Sequence, residues 1–210
     1  MMYAIVRLIF WALIFVVVNY LVVYKSNIVN KKIFMVSIFI LCAILASASA
    51  IIPVENLFVT FDTPEDVAKY YARGEIIGSV DGKESTLLIL FNSQESSGSH
   101  IVIPRTQNGY KIPSIFTVKN TQWQAATFGT FQISSVLGTN DYYIVGIIIS
   151  EEEMTIRDND DNLVKTIAIW IPTSNIFYIS FYAYIESLSD DYYLIIGDEK
   201  FVKSEWLLYD

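Results

Sequence analysis

Two apolar runs, Ala4–Tyr24 and Ile33–Ile52, stand at the start of the 210-residue chain, separated only by Lys25–Lys32. An α-helix rises about 1.5 Å per residue, so about 20 residues cross a hydrocarbon layer about 30 Å thick. Both runs have that length, and the connection between them is too short to fold by itself. The pair reads as a transmembrane helical hairpin over residues 1–53, with helices at about 4–24 and 33–52. Two such runs in tandem argue against the buried core helix of a water-soluble protein. Tyr3, Tyr20 and Tyr24 lie near the run ends, where interfacial aromatics collect.

Charge gives the hairpin a direction. Residues 1–54 hold Arg7, Lys25, Lys31 and Lys32 and no acid. The three lysines sit in the short connection, which the bias of Lys and Arg toward the inner side places in the cytoplasm. The N-terminus and everything after Pro53 are then expected outside. Arg7 and the N-terminal amine oppose this orientation, although Arg7 is near enough to the chain start to snorkel. Ala43, Ala46, Ser47, Ala48, Ser49 and Ala50 would let the two helices approach closely. The same small residues, following Lys31-Lys32 and an apolar run, also fit the layout of a signal peptide with its cleavage site. The upstream helix is unusual for such a leader. Cys42, the only cysteine, follows Leu41 where a lipoprotein signal needs a small residue, and it reads as a small apolar side chain.

The rest of the chain has the size of one ordinary domain, residues 54–210, with length enough for a real core. The chain carries 14 basic and 22 acidic side chains. Four of the bases precede Glu55, so residues 55–210 hold 10 bases against 22 acids, a formal charge of −12. Such a domain is a poor nucleic-acid binder, because phosphate neutralisation supplies most of that affinity. It should also stand off an anionic lipid surface.

Asp62-Thr63-Pro64-Glu65-Asp66 opens a short helix: a capping side chain, proline in the first turn, and acids at the positive dipole end. Arg73 and Gly74 close it, and Val67, Tyr70 and Tyr71 share a face that should pack on a sheet. Leu57–Phe61 alternates like a strand or an extended lead-in. After Gly74 the pattern is β. Asp81-Gly82 and Asn108-Gly109 mark hairpin turns between Glu75–Val80 and Ser85–Phe91, and between Ser99–Arg105 and Tyr110–Ile112. Further strands are expected at Ile115–Lys119, across Gln122–Val136 as one long or bent pair with Gly129 at the bend, and at Leu163–Ile171, Phe177–Ile185, Tyr192–Ile196 and Phe201–Lys203. Tyr142–Ser150, almost wholly apolar, reads as a central buried strand. The fold class is α+β: a two-helix transmembrane hairpin, then a strand-dominated antiparallel domain with one short N-terminal helix. Asn140–Val145 and Ser189–Ile195 echo each other in a Tyr-Tyr pair after polar turn residues, which turn chemistry and β propensity explain.

Few residues offer chemistry. A Ser-His-acid triad has only His100 to draw on, and no Gly-x-Ser-x-Gly elbow is present. Asp158-Asn159-Asp160-Asp161-Asn162 begins like a calcium loop, but Leu163 and Ile169 stand where that loop needs Gly and Glu. Glu151-Glu152-Glu153 reads as a solvated edge. Trp123, Trp170 and Trp206, with the tyrosines, could build a carbohydrate- or peptide-binding face. No catalytic, cofactor-binding or metal-ligating residue is assigned, and no cofactor is implied.

The Thr63-Pro64-Glu65 opening, with Ala68 and Tyr70-Tyr71 and strands after it, resembles a type of small extracytoplasmic domain of Gram-positive bacteria. It is also similar to the helix opening of nuclear-transport-factor-2-like α+β cones, whose further helices this strand series lacks. Neither likeness carries a functional residue over. The partners expected are the lipid bilayer, through residues 4–24 and 33–52, and a protein or cell-envelope component. The expected role is that of a non-enzymatic, membrane-anchored extracytoplasmic domain of a bacterium; the alternative is a membrane-tethered hydrolase working through paired acids.

Overall fold

The structure is a computed structural model; it describes residues 2–25, 30–92, 94, 97–125, 129–159, 164–171, 175–203 and 207–208. Helices α1 (Met2–Lys25) and α2 (Lys31–Ile51) are each long and apolar enough to cross a membrane. They lie side by side in opposite directions. Trp11 Nε1 donates to Ser49 Oγ at 3.1 Å near one end, and Phe15 meets Phe39 edge-on at 5.8 Å farther along. The small-residue run at the end of α2 is thus a helix contact. Ser49 is buried, and its hydroxyl donates back to Ala46 O at 2.7 Å. Ile5, Leu8, Ile9, Leu13, Val16 and Val17 leave α1 with an exposed apolar flank.

Arg7 does not snorkel. It is buried, and its guanidinium grips Glu55 through two 2.9 Å hydrogen bonds. Glu55 lies in a 3-10 turn, Val54–Leu57, just after α2. The segment after that turn is tied to the domain. Lys111 Nζ donates to Asn56 O, Val59 O and Thr60 Oγ1, each at 2.8 Å. Asn56 exchanges two side-chain bonds with the Ile112 backbone, and Phe61 pairs with Tyr110 as a single β-bridge. The extended lead-in expected at Leu57–Phe61 is therefore a turn followed by a one-residue extension of the sheet edge.

Helix α3 (Pro64–Tyr71) forms for the local reasons its sequence supplies. Thr63 Oγ1 accepts the Asp66 N–H at 3.2 Å, Pro64 occupies the first turn, and Lys69 stands in the last. Its Val67 and Ala68 are buried on sheet 1, with Tyr70 and Tyr71 half-buried beside them.

All strand pairing is antiparallel. Sheet 1 comprises β1 (Glu75–Asp81), β2 (Ser85–Asn92), β3 (Ser97–Thr106) and β4 (Gly109–Tyr110), in that order. Sheet 2 holds β5 (Val118–Ala125), β6 (Gly129–Val136), β7 (Tyr142–Ser150), β9 (Lys165–Ile171), β10 (Ile176–Ile185) and β13 (Leu207–Leu208), in the order β13-β5-β6-β7-β10-β9. Sheet 3 is β12 (Glu199–Val202), β11 (Tyr193–Ile196) and β8 (Ile156–Asp158). The stretch around Gly129 is a hairpin, with Ala125 opposite Gly129. The strand expected at Ile115–Lys119 starts only at Val118. Ser114 and Thr117 close a tight turn before it through side-chain and backbone bonds, and Ile115 and Phe116 are exposed there.

Alternation of side chains across each strand builds a layered core. Leu88, Leu90, Ile101 and Ile103 face α3; Leu87, Ile89 and Val102 face Val136, Tyr143, Val145 and Tyr182 of sheet 2. The other face of sheet 2, with Ile133, Ile144, Ile148, Ile179 and Phe181, packs on Ile156, Leu194 and Ile196 of sheet 3. The order of layers is α3, sheet 1, sheet 2, sheet 3. As the apolar run suggested, β7 is central in sheet 2, between β6 and β10.

Gly146 interrupts that strand for a steric reason. It lies opposite Phe131 on one side and Phe181 on the other, and a Cβ there would collide with the Phe181 ring and the Phe131 Cβ. At Gly98 an added Cβ meets nothing nearer than 3.9 Å. Gly146→Ala should therefore destabilise the chain by about 1–3 kcal/mol through overpacking, while Gly98→Ala changes little. Thermal unfolding of the full chain in detergent, read by near-ultraviolet circular dichroism, checks the contrast.

Candidate functional site

Sheets 1 and 2 are clamped together at one end and open at the other. The clamp is Asp141, buried at the entry to β7. One carboxylate oxygen accepts the Lys83 N–H at 3.2 Å and the Tyr184 hydroxyl at 3.0 Å. The other accepts the Glu84 N–H at 2.8 Å and the Ser85 hydroxyl at 2.7 Å. Ser85 Oγ also lies 2.8 Å from Tyr143 Oη. Gly82 completes the turn of the β1–β2 hairpin because a Cβ there would strike Tyr143, Asp141 and Tyr184. Its φ is not positive, so the glycine serves close approach and not the left-handed turn its Asp-Gly sequence suggested. Burial pushes the Asp141 carboxyl up, but the donors from Ser85, Glu84, Tyr184 and Lys83 outweigh it and hold it below its ordinary 3.8. Burial, with the bond to this carboxylate, pushes Tyr184 up to about 12. Serine, carboxylate and tyrosine are thus sealed into a structural joint. Ser85 is fully buried, with both neighbours engaged.

At the opposite end the sheets diverge around His100, the residue in β3 opposite Ile89 of β2. His100 is half-buried and borders three adjoining spaces. One, of about 650 Å³, lies between Tyr71–Arg73, the start of β3, Pro113–Ile115 and the polar residues Asn120 and Ser134. A second, of about 410 Å³, reaches Gln132 and Val145–Ile147. The third is a narrow crevice of about 40 Å³ walled by Ile77, Ile89, Phe91, Ile167, Ile169 and Tyr178. One wall is therefore apolar, and the other carries hydroxyls and amides. β7 runs past the edge of sheet 1 here. Ile147 and Ile149 point to the same side as Val145 but are exposed, Ile149 at 64%. The strand expected to be central and buried is therefore buried on its sheet 1 side only as far as sheet 1 covers it, while Ile148 stays buried on the other side.

The groups around this cleft set its chemistry. Burial pushes the His100 imidazole below its ordinary 6.5. Among the described residues lining the spaces around His100, no carboxylate stands beside it to complete a Ser-His-acid relay. Arg73 is the cationic group on the rim, and among the described residues lining the three spaces there is no Asp, Glu or Cys.

The other residues singled out from sequence lie elsewhere. Glu151–Glu153 are exposed in the bend after β7. Asp158 ends β8, Asn159 follows it, and Asp160–Asn162 fall outside the described residues. No group of three or more His, Cys, Asp and Glu is placed to hold a metal among the described residues. Trp170 packs on Phe177 at 4.7 Å on sheet 2, the side chain of Trp123 is outside the described residues, and so is Trp206. Sequence reasoning reached His100 but missed Ser99, Asn120, Gln132 and Ile147 around it. None of the four carries a local signal, because β3, β5, β6 and β7 bring them together only in the fold.

No protein-family model matches the chain, and no curated protein or solved structure matches it with significance.

The clamp gives a measurable acid response. Because the native pKa of Asp141 is depressed, its stabilisation is complete above the ordinary carboxylate value and is lost as pH falls through the native one. Asp141→Asn puts an amide N–H₂ against backbone N–H donors and should cost about 2–4 kcal/mol at pH 7. Denaturant unfolding of the full chain in detergent should show that gap narrowing from pH 5 toward pH 3.

Proposed function

We propose that this chain is a non-enzymatic binding protein of a bacterial envelope. Helices α1 and α2 cross the membrane with the lysine-bearing connection in the cytoplasm. The β domain stands outside and holds a protein or cell-envelope component in the His100 cleft. The observation that carries the reading is the cleft itself: an open space between two diverging sheets, apolar on one wall and hydroxyl- and amide-bearing on the other. Such a surface suits an amphipathic ligand. The absence of a carboxylate among the described lining residues supports binding over the alternative of acid-catalysed hydrolysis.

Position supports the same reading. Tyr71–Arg73 and Pro113–Ile115 line the cleft. Tyr70 hydrogen-bonds Glu55, and Ile112 pairs with Asn56, so both walls begin one residue from contacts with the inter-domain linker. A ligand in the cleft would lie close to the membrane surface. Ser49, buried against Trp11 inside α2, supports an anchor that is retained over a leader that is cut. The lysine asymmetry supports the external side for the domain.

The test has two arms, both on the full chain in its own membrane. A C-terminal tag should be digested by proteinase added to intact cells; protection of the tag while an external control is cut overturns the orientation. A photo-crosslinking residue at Ser99 should form an adduct that one at Lys200, on sheet 3, does not, and Ile147→Lys should reduce that adduct at least about fivefold, a ΔΔG of about 1 kcal/mol. Equal adducts at both positions, or no effect of Ile147→Lys, overturn the cleft as the binding site.

A further inference from the structure

The linker carries an apolar surface that neither the domain core nor the helices use. Leu57 is 77% exposed and Phe58 is 83% exposed, with Val59 beside them also exposed. Exposed single apolar residues are ordinary; what matters here is where these two stand. From Arg7 to Lys25 along α1 is about 27 Å at 1.5 Å per residue, against a hydrocarbon layer of about 30 Å. With Lys25 at one face of that layer, Arg7 is at the boundary of the other. Glu55 is held to Arg7 by two 2.9 Å bonds, so it stands at the same boundary. α2, ending at Ile51, reaches that level independently. The Phe58 and Val59 N–H groups both donate to Glu55 O, at 2.9 and 2.8 Å, which folds this stretch tightly back against Glu55.

We propose that Leu57 and Phe58 enter the hydrocarbon edge of the leaflet on the domain's side and make a membrane contact additional to α1 and α2. The inference rests on the membrane-spanning reading of those helices. Lipid is the occupant because side chains at this height that the chain leaves uncovered face the acyl boundary, as the exposed Ile5, Leu8 and Ile9 do on α1. The contact is rigid. Lys111 holds Asn56, Val59 and Thr60, Asn56 is bonded to Ile112, and Glu55 is bonded to Arg7. It also meets no local charge penalty, since the one acid in the turn is already paired with Arg7. The acid excess of the domain pushes it from an anionic surface, while the apolar turn holds its base down, so the domain is pinned at one point and stands off elsewhere.

Collision-based spin-label measurements test this. Full chain with Cys42→Ser is reconstituted in phosphatidylcholine vesicles and labelled singly through Leu57→Cys, Phe58→Cys, Leu13→Cys as lipid reference, or Lys200→Cys as water reference. The ratio of oxygen to nickel-chelate collision rates at 57 and 58 should exceed that at 200 at least about fivefold, approaching the ratio at 13, as partition of the two probes between hydrocarbon and water requires. Ratios at 57 and 58 equal to that at 200, with 13 in lipid, overturn the inference and leave the anchor standing. Low rates with both probes at 57 and 58 mean that protein covers them, which also overturns it. A water-like ratio at 13 overturns the membrane-spanning reading and this inference together.

Discussion

The Arg7–Glu55 ion pair is the joint on which the relation of helices to domain depends. An arginine in an apolar helix is costly unless its charge is met, and a buried pair is strongly destabilised when one partner is missing. Here both oxygens of one carboxylate meet two nitrogens of one guanidinium, the strongest form of such a contact. Burial pushes the Glu55 carboxyl up, yet the bonds from Arg7, from its own backbone and from Tyr70 prevail and hold it below its ordinary 4.5. Glu55 therefore stays ionised at neutral pH, and the pair stays intact. Through Tyr70 it also reaches α3, the helix that covers the outer face of sheet 1.

The domain beyond that joint spends its two ends differently. At the Asp141 end both carboxylate oxygens are met by donors inside the protein, and Tyr143 and Ser85 are sealed from water. At the His100 end the same two sheets part, and the side of β7 that is core at Tyr143 and Val145 becomes open surface at Ile147 and Ile149. A rigid closed end holds the open end in shape, which lowers the ordering cost of any ligand that enters. In the proposed reading, structure and binding thus fall at opposite ends of one sandwich, since nothing in the cleft's described lining supplies an acid.

Local signals in the sequence were legible, and spatial ones were not. Helix α3 was readable because its cap, proline and dipole charges act within eight residues. The antiparallel series was readable from apolar runs cut by Gly, Asn and Asp, and the central place of β7 from its nearly unbroken apolar run. Arg7 reads as a snorkelling side chain in the sequence because its partner lies 48 residues away. Asp141 reads as a turn residue because its donors, Lys83 to Ser85 and Tyr184, lie 43 to 58 residues away. Ile115 and Phe116 have strand-like side chains, but Ser114 and Thr117 bind their own backbone and fix a turn instead. The small residues of α2 fitted both a helix contact and a cleavage site; only the packing of Ser49 on Trp11 distinguishes how the folded chain uses them.

In the proposed orientation these features combine into one constraint on the partner. The linker is bonded at Glu55 to α1 and at Asn56 to Ile112, next to the Pro113–Ile115 wall of the cleft. It cannot act as a flexible tether, so the cleft is held at one height and one attitude to the bilayer. For a partner that itself resides at the membrane surface, a fixed height raises the effective concentration at the cleft far above what a loose tether of the same length would give. The same rigidity penalises a partner that must approach from elsewhere, since the domain cannot turn to meet it. A cleft that begins one residue from the membrane-side linker contacts, and a linker without slack, together favour a ligand presented by the envelope itself.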